Sequence, residues 1–273
     1  MKDIQLFLFD VDGTLIDSQS HQLLKSCVDS LKKLQEQGFK VGISSGRGMS
    51  SLVDTEVGNC ISWDIYLCNN GQAIYDKMRN PLKEVYIDKE NVYKVLEVAK
   101  KRKQPVFMVS KYNFICGEIT QEVINTHKFL NLPIPIQKPY EDEEIIMMCA
   151  YDKKGYDYHD YQNIEGMKAI EGMSTYADLV LENYNKYEGV KYALAYFNLN
   201  EYMAFGDSLN DMEMIQNATI GICMGNGCDE LKQVAHFVTK DVLDDGIAYA
   251  LNHYENLIKK WYTIDNRKKE YYG

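Results

Sequence analysis

The feature that most limits what this chain can fold into is its alternation of short apolar runs with helical stretches. "IQLFLF" at residues 4–9 is too short for a helix and stops at Asp10, so it reads as a buried strand. Leu23, Leu24, Cys27, Val28, Leu31 and Leu34 then recur at helical spacing, and Gly38 follows as a C-cap. That spacing predicts a helix over 20–37. "FKVGIS" is a second apolar strand running into "SGRG"; Met49, Leu52, Val53 and Val57 predict a second helix; "WDIYLC" is a third strand, followed by "NNGQAIYD". Strand, helix, strand, helix, strand calls for a parallel sheet with right-handed crossovers.

The style changes between about residues 80 and 185. Shorter strands appear there ("KEVYID", "PVFMVS", "NFICG", "EIIMMCA", "ADLVLEN"), with helical stretches near 90–103, 120–130 and 156–167 and prolines at 133, 135 and 139. The first style then returns: a helix at 188–198, the strand "YMAFGD", a helix at 209–217, the strand "TIGICMG", a helix at 228–235, "FVT", and a terminal helix from about 245 to 261. The expected fold class is α/β: a Rossmann-like parallel-sheet core over 1–80 and 186–273, with an inserted α+β domain over 81–185. The closing "DNRKKEYYG" reads as a frayed tail.

Composition narrows the function. With 273 residues, 45% of them hydrophobic, the chain can bury a sizeable core. A net charge of −10 repels phosphate backbones, which argues against nucleic acid as a partner. The basic run at Lys100 to Lys103 ends an apolar-periodic stretch and suits a solvated helix C-terminus. No stretch approaches the roughly 18 apolar residues of a membrane span, and no leader is read at the N-terminus. The seven cysteines, at 27, 60, 68, 116, 149, 223 and 228, form no CxxC pair and read as reduced packing residues. The expectation is a cytoplasmic protein with no membrane partner and an open oligomeric state.

Four polar features sit at strand ends or helix starts of the outer α/β segments. In an open α/β sheet those ends converge on one crevice. Asp10 and Asp12 flank Val11, with Gly13 and Thr14 following. Alternation along an extended segment would point both carboxylates the same way, and two close carboxylates repel unless a cation or proton lies between them. Hard oxygen ligands suit Mg2+, although an Asx turn would use the same residues. "SSGRG" offers Ser45 and the Gly46 N–H at a predicted helix start, as an anion site or as an ordinary cap. Lys186 precedes a helix, where a lysine is normally a solvated residue. Asp207, Asn210 and Asp211 lie in "FGDSLNDMEM", after an apolar strand that delivers Asp207 to the same rim as Asp10.

Together, "FDVDGTL", "SSGR", a lysine before a helix and "GDSLND" resemble the four motifs of the haloacid dehalogenase-like phosphohydrolases, in order and in rough spacing. "NNGQAIYD", the insert after it, "NKYEGVKYAL" and "GICMGNGCDELKQVAHFVT" followed by "DDGIAYAL" are similar to the Cof-type subgroup. The resemblance covers most of 5–78 and 180–255; the insert matches by position and style alone. Ser45 stands where many members have threonine, and Gly227 where alanine is commoner.

The resemblance implies a Mg2+-dependent phosphatase acting on a small phosphorylated metabolite, a sugar phosphate or a phosphorylated cofactor. It implies that Asp10 is the nucleophile that forms an aspartyl-phosphate and that Asp12 is the general acid and base. Mg2+ would be held by Asp10, Asp207 and the backbone carbonyl of Asp12, with Asp211 supporting. Phosphate oxygens would be held by Val11, Ser45, Gly46, Lys186 and Asn210, and the insert would be a cap. A phosphomutase with the same chemistry, or a binding protein that kept the fold, would carry many of the same motifs. Nothing in the insert singles out residues that contact substrate.

Overall fold

The structure is a computed structural model that describes residues 4–171 and 175–254. It falls into two compact units, Met1–Pro81 with Asn185–Gly273, and Leu82–Tyr184. The end of the expected terminal helix and the tail lie outside the described residues.

In chain order, the first unit opens with β1 (Leu6–Phe9), α1 (Lys25–Glu36), β2 (Lys40–Ser44), α2 (Glu56–Asn59), β3 (Ile65–Cys68) and β4 (Ala73–Asp76), and the chain leaves it through β5 (Pro81–Glu84). The second unit holds α3 (Lys89–Arg102), β6 (Val106–Val109), β7 (Phe114–Cys116), α4 (Gln121–Phe129), β8 (Ile136–Gln137), β9 (Met147–Tyr151), α5 (His159–Gln162), β10 (Met167–Glu171) and β11 (Tyr176–Leu181). The chain returns through α6 (Lys186–Phe197), β12 (Tyr202–Gly206), α7 (Met212–Gln216), β13 (Ile220–Cys223), α8 (Asp229–Val234), β14 (Phe237–Val238) and α9 (Gly246–His253).

The sheet of the first unit has the order β14-β13-β12-β1-β2-β3-β4. It is parallel from β14 to β3, and β4 runs antiparallel to β3. β1 is the pivot: β2 and β3 spread to one side and β12 to β14 to the other. A doubly wound sheet opens its crevice at such a switch point, outside the carboxyl ends of the strands. Every residue of β1, β3 and β12 is buried, which is why these strands read as continuous apolar runs with no alternation. Phe9 and Phe205 pair across β1 and β12 and stack with centroids 4.6 Å apart. Those two rings sit one residue before Asp10 and two before Asp207, so core packing fixes both carboxylate-bearing strand ends.

The second unit has a mixed sheet of order β10-β11-β9-β6-β7-β8, antiparallel except for the β7–β8 pair. Val92, Val95 and Ala99 of α3 pack on Met148, Ala150 and Leu179 of that sheet. Lys103 ends α3 in the left-handed region at φ 58°, after the basic last turn.

Three expectations need correction. α1 starts at Lys25 and not at 20, because Asp17 accepts hydrogen bonds from the Gln19 and Ser20 N–H groups and Ile16 bridges to Leu23, which holds that stretch in a turn. The helix expected through 49–57 is a single 3-10 turn at Met49–Ser51 followed by the short α2, since Thr55 folds back onto the Leu52 carbonyl and caps Gly58. The helix expected over 156–167 is only α5. Gly166, at φ 80°, turns the chain into β10, a strand the periodicity hid.

Phe205→Ala removes the stacked ring between the two strand ends and should destabilise the protein by about 3–5 kcal/mol. Urea unfolding followed by circular dichroism measures it, and a loss below about 1 kcal/mol would contradict the packing described.

Candidate active site

Four adjacent parallel strands, β12, β1, β2 and β3, end on the same side of the sheet and are followed directly by Asp207, Asp10, Ser45 and Asn69. The Asp10 N–H donates to the Phe205 carbonyl (3.0 Å) and the Ser45 N–H to the Leu67 carbonyl (2.8 Å), so each polar residue is still held by its neighbouring strand.

Lys186 lies at the centre. Its side chain is 1% exposed, and Nζ donates to Asp10 Oδ1 and to Asp211 Oδ1, both at 2.6 Å. It is the first residue of α6, whose N-cap Asn185 accepts from the Glu188 N–H. A lysine there would be solvated on an isolated helix. It is buried because α6 comes very close to the turn after β3: a Cβ on Gly71 (φ 89°) would lie 2.4 Å from the Asn185 carbonyl. Burial works against the ammonium charge, but Asp10 and Asp211 outweigh it and raise the Lys186 pKa.

Asp211 is fully buried and saturated. Its Oδ2 accepts from the Asp207 (3.0 Å) and Ser208 (3.1 Å) N–H groups while Oδ1 takes Lys186. It therefore shapes the loop that carries Asp207. Oxygens of Asp10, Asp207 and Asp211 lie within 4.8 Å of one another, a group that could hold a metal ion. Burial pushes the Asp10 carboxyl up to about 7 against the pull of Lys186, and burial with the nearby Asp10 and Asp211 pushes Asp207 up to about 9. Gly13, at φ 83°, makes room for this group, since a Cβ there would lie 2.2 Å from Asp207 Oδ2.

Asp12 has a different partner from Asp10. β1 ends at Phe9, and the Val11 carbonyl accepts from the Leu15 and Ile16 N–H groups, so the extended segment expected to align both carboxylates does not continue. Asp10 meets Lys186, whereas Asp12 meets Arg47: Nε donates to Oδ2 and Nη2 to Oδ1, each at 2.7 Å. Arg47 lies within "SSGRG", where the hydroxyl and glycine suggest an anion site and nothing local points to a pairing with Asp12. The Ser45 hydroxyl accepts the Arg47 N–H (3.1 Å), and no regular helix begins in this segment, so the expected helix start at Ser45 and Gly46 is replaced by a loop. Val11 is buried and Gly46 half-buried. Asn210 donates to the Asn70 side chain (3.3 Å), in a buried turn where Asn69 and Asn70 adopt φ 52° and 53°. That turn is a second element the motif reading missed; "NNG" was its visible signal.

A doubly wound sheet with an acidic, lysine-centred edge at its switch point defines an α/β enzyme of the open-sheet class. The particular family follows from comparison with known proteins: the haloacid dehalogenase-like hydrolases match residues 7–251, and the chain belongs to that family. The Bacillus subtilis protein YkrA is 30% identical over 91% of this chain and 97% of its own length. The 5-amino-6-(5-phospho-D-ribitylamino)uracil phosphatase YcsE of the same organism is 25% identical over 92% and 96%. A solved phosphatase of the haloalkanoate superfamily from Bacteroides thetaiotaomicron aligns with TM-score 0.82 and 27% identity, over 92% of this chain and 95% of that one. The chain is thus a phosphatase of this superfamily, a phosphoric monoester hydrolase.

Lys186→Met leaves Asp10 and Asp211 buried without their cation. We expect a loss of about 3–5 kcal/mol in stability, read from the urea midpoint, alongside loss of activity.

Proposed function

We propose that this chain is a Mg2+-dependent phosphatase that hydrolyses a small phosphorylated metabolite, a sugar phosphate or a phosphorylated cofactor, through an aspartyl-phosphate on Asp10. The observation that carries the reading is the buried cluster of Asp10, Asp207 and Asp211, to which Lys186 brings a single positive charge. Hard oxygen donors, held close and pushed toward protonation by burial and by one another, fit a divalent cation. Asp10, Asp207 and the Asp12 backbone carbonyl would hold it, and Asp211 would support Asp207 through the loop N–H groups it binds. Bound Mg2+ would offset the repulsion between a carboxylate nucleophile and a phosphate dianion.

The chain's own residues divide the remaining work. Asp10 attacks phosphorus, and Asp12 gives its proton to the leaving alkoxide. In the second half Asp12 takes a proton from the attacking water and the Asp10–phosphorus bond breaks. Lys186, the Ser45 hydroxyl, the Val11 and Gly46 N–H groups and the Asn210 amide would hold phosphoryl oxygens, so that charge is met by fixed donors. We assign substrate discrimination to the insert, as the cap. The phosphorylated ribityl compound in the name of YcsE supports a polyol or sugar phosphate as the substrate class. All seven cysteines are free thiols, which supports the cytoplasm as the compartment.

Release of phosphate from p-nitrophenyl phosphate should require Mg2+ and vanish with EDTA or Asp10→Asn. Asp12→Asn should bind Mg2+ normally and lose about 10²-fold or more in turnover; normal turnover by Asp10→Asn would refute the nucleophile assignment.

The metal-free protein carries a second signature. From the ordinary carboxylate value of 3.8 up to about 7 for Asp10 and about 9 for Asp207, the native state binds more protons than the unfolded chain, so stability falls as pH rises through that window. A bound Mg2+ would take the place of those protons. The gain in melting temperature on adding Mg2+ should therefore widen from about pH 5 to about pH 8, and a gain independent of pH would contradict it.

A further inference from the structure

The pairing of Arg47 with Asp12 conflicts with the work assigned to Asp12. Both carboxyl oxygens are engaged by the guanidinium, at 2.7 Å each. A two-point arginine–carboxylate pair is among the stronger side-chain contacts, and an oxygen held in it is not directed at a leaving group. Arg47 is also the better anchored partner. Its side chain is 11% exposed against 32% for Asp12, its N–H donates to the Ser45 hydroxyl, and its carbonyl accepts from the Asn69 N–H at 3.0 Å. The loop thus holds the Arg47 backbone between the segments that follow β2 and β3.

The guanidinium needs another anion before it can release the carboxylate. A phosphoryl group presents the oxygen geometry that matches the same fork. It also arrives in the right place, because the leaving oxygen that must meet Asp12 is bonded to phosphorus, one atom away. Charge favours the same exchange. Among the described residues, the ion pairs of Asp10, Asp12 and Asp211 are made to Lys186 and Arg47, and Lys186 is committed to Asp10 and Asp211.

We propose that Arg47 exchanges partners during the reaction: it clamps Asp12 in the free enzyme and turns onto the phosphoryl oxygens as substrate binds, so that the substrate's own charge frees the acid. This rests on the phosphatase reading above. Once Arg47 has turned away, the freed Asp12 carboxylate takes a proton from solvent; in the first half the Asp10–phosphorus bond then forms, the bond from phosphorus to the leaving oxygen breaks, and that proton goes from Asp12 to the leaving oxygen. In the second half water bonds to phosphorus, the Asp10–phosphorus bond breaks, and the water proton goes to Asp12. As phosphate departs, Asp12 gives that proton to solvent and Arg47 returns to its carboxylate. Arg47 is then a catalytic residue, since it touches the transferring group.

The test is a double-mutant cycle on inorganic phosphate binding, measured by calorimetry with Mg2+ present, using wild type, Asp12→Ala, Arg47→Met and the pair. Removing the Asp12 charge should tighten phosphate binding in either background. With Arg47 present the gain should be larger by about fivefold or more, because the freed guanidinium adds its own contacts. Equal gains in both backgrounds would overturn the exchange. So would an Arg47→Met enzyme with lowered kcat but unchanged phosphate affinity, the pattern of a residue that only positions Asp12. Arg47→Lys carries the same comparison should Arg47→Met not fold, and should show a smaller coupling because it keeps the charge and loses the fork. A wild type that binds no phosphate and releases none from an aryl phosphate would instead sink the phosphatase reading, and the exchange with it.

Discussion

One buried ammonium organises this site. Lys186 lies between Asp10 and Asp211 in a place with almost no solvent, and each contact depends on a different part of the chain. Asp10 ends the central strand, Asp211 closes the loop after β12, and Lys186 opens a helix that follows the insert. A buried charge without a partner is costly, so these three segments are correct together or not at all. The lysine also makes the acidic cluster foldable, because it offsets part of the repulsion among carboxylates before any metal or substrate is present.

The sheet makes this convergence possible. β1 has a later strand on one side and an earlier strand on the other, and at that reversal the carboxyl ends of β12, β1 and β2 deliver side chains to one edge. Close backbone approach then sets the fine positions. Gly71 lets the turn after β3 touch the start of α6, and Gly13 leaves space for the Asp207 carboxylate. Rigidity comes from Phe9 and Phe205, stacked directly behind the polar residues, so the charges sit on a packed floor.

Legibility in the sequence followed the range of each interaction. Asp10, Ser45 and Asp207 could be placed because a short apolar run followed by a polar residue is a local signal of a buried strand and its end. The burial of Lys186 was not legible, since its own surroundings read as a solvated helix start; it depends on Gly71, more than a hundred positions earlier. The Arg47–Asp12 pair joins residues 35 apart, and no periodicity reports it. Local turns also defeated periodic reading: the Asp17–Ser20 turn delays α1, and Gly166 ends a helical pattern in favour of β10. Arg47 and Asn70 lie within the stretches that carry the family resemblance, but their partners, Asp12 and Asn210, are set by the fold and not by the local sequence.

The two aspartates of the first motif show why that difference in range matters. Two residues apart on the chain, they have different cations: Asp10 a fully buried lysine, Asp12 a largely buried arginine. Lys186 meets Asp10 and Asp211 at once, a point charge shared between two carboxylates. A planar fork suits Asp12, because such a pair is strong yet can be traded for another oxyanion of matching shape. The turn that starts at Val11 creates the distinction: it ends the strand after Asp10 and carries Asp12 to a different neighbour.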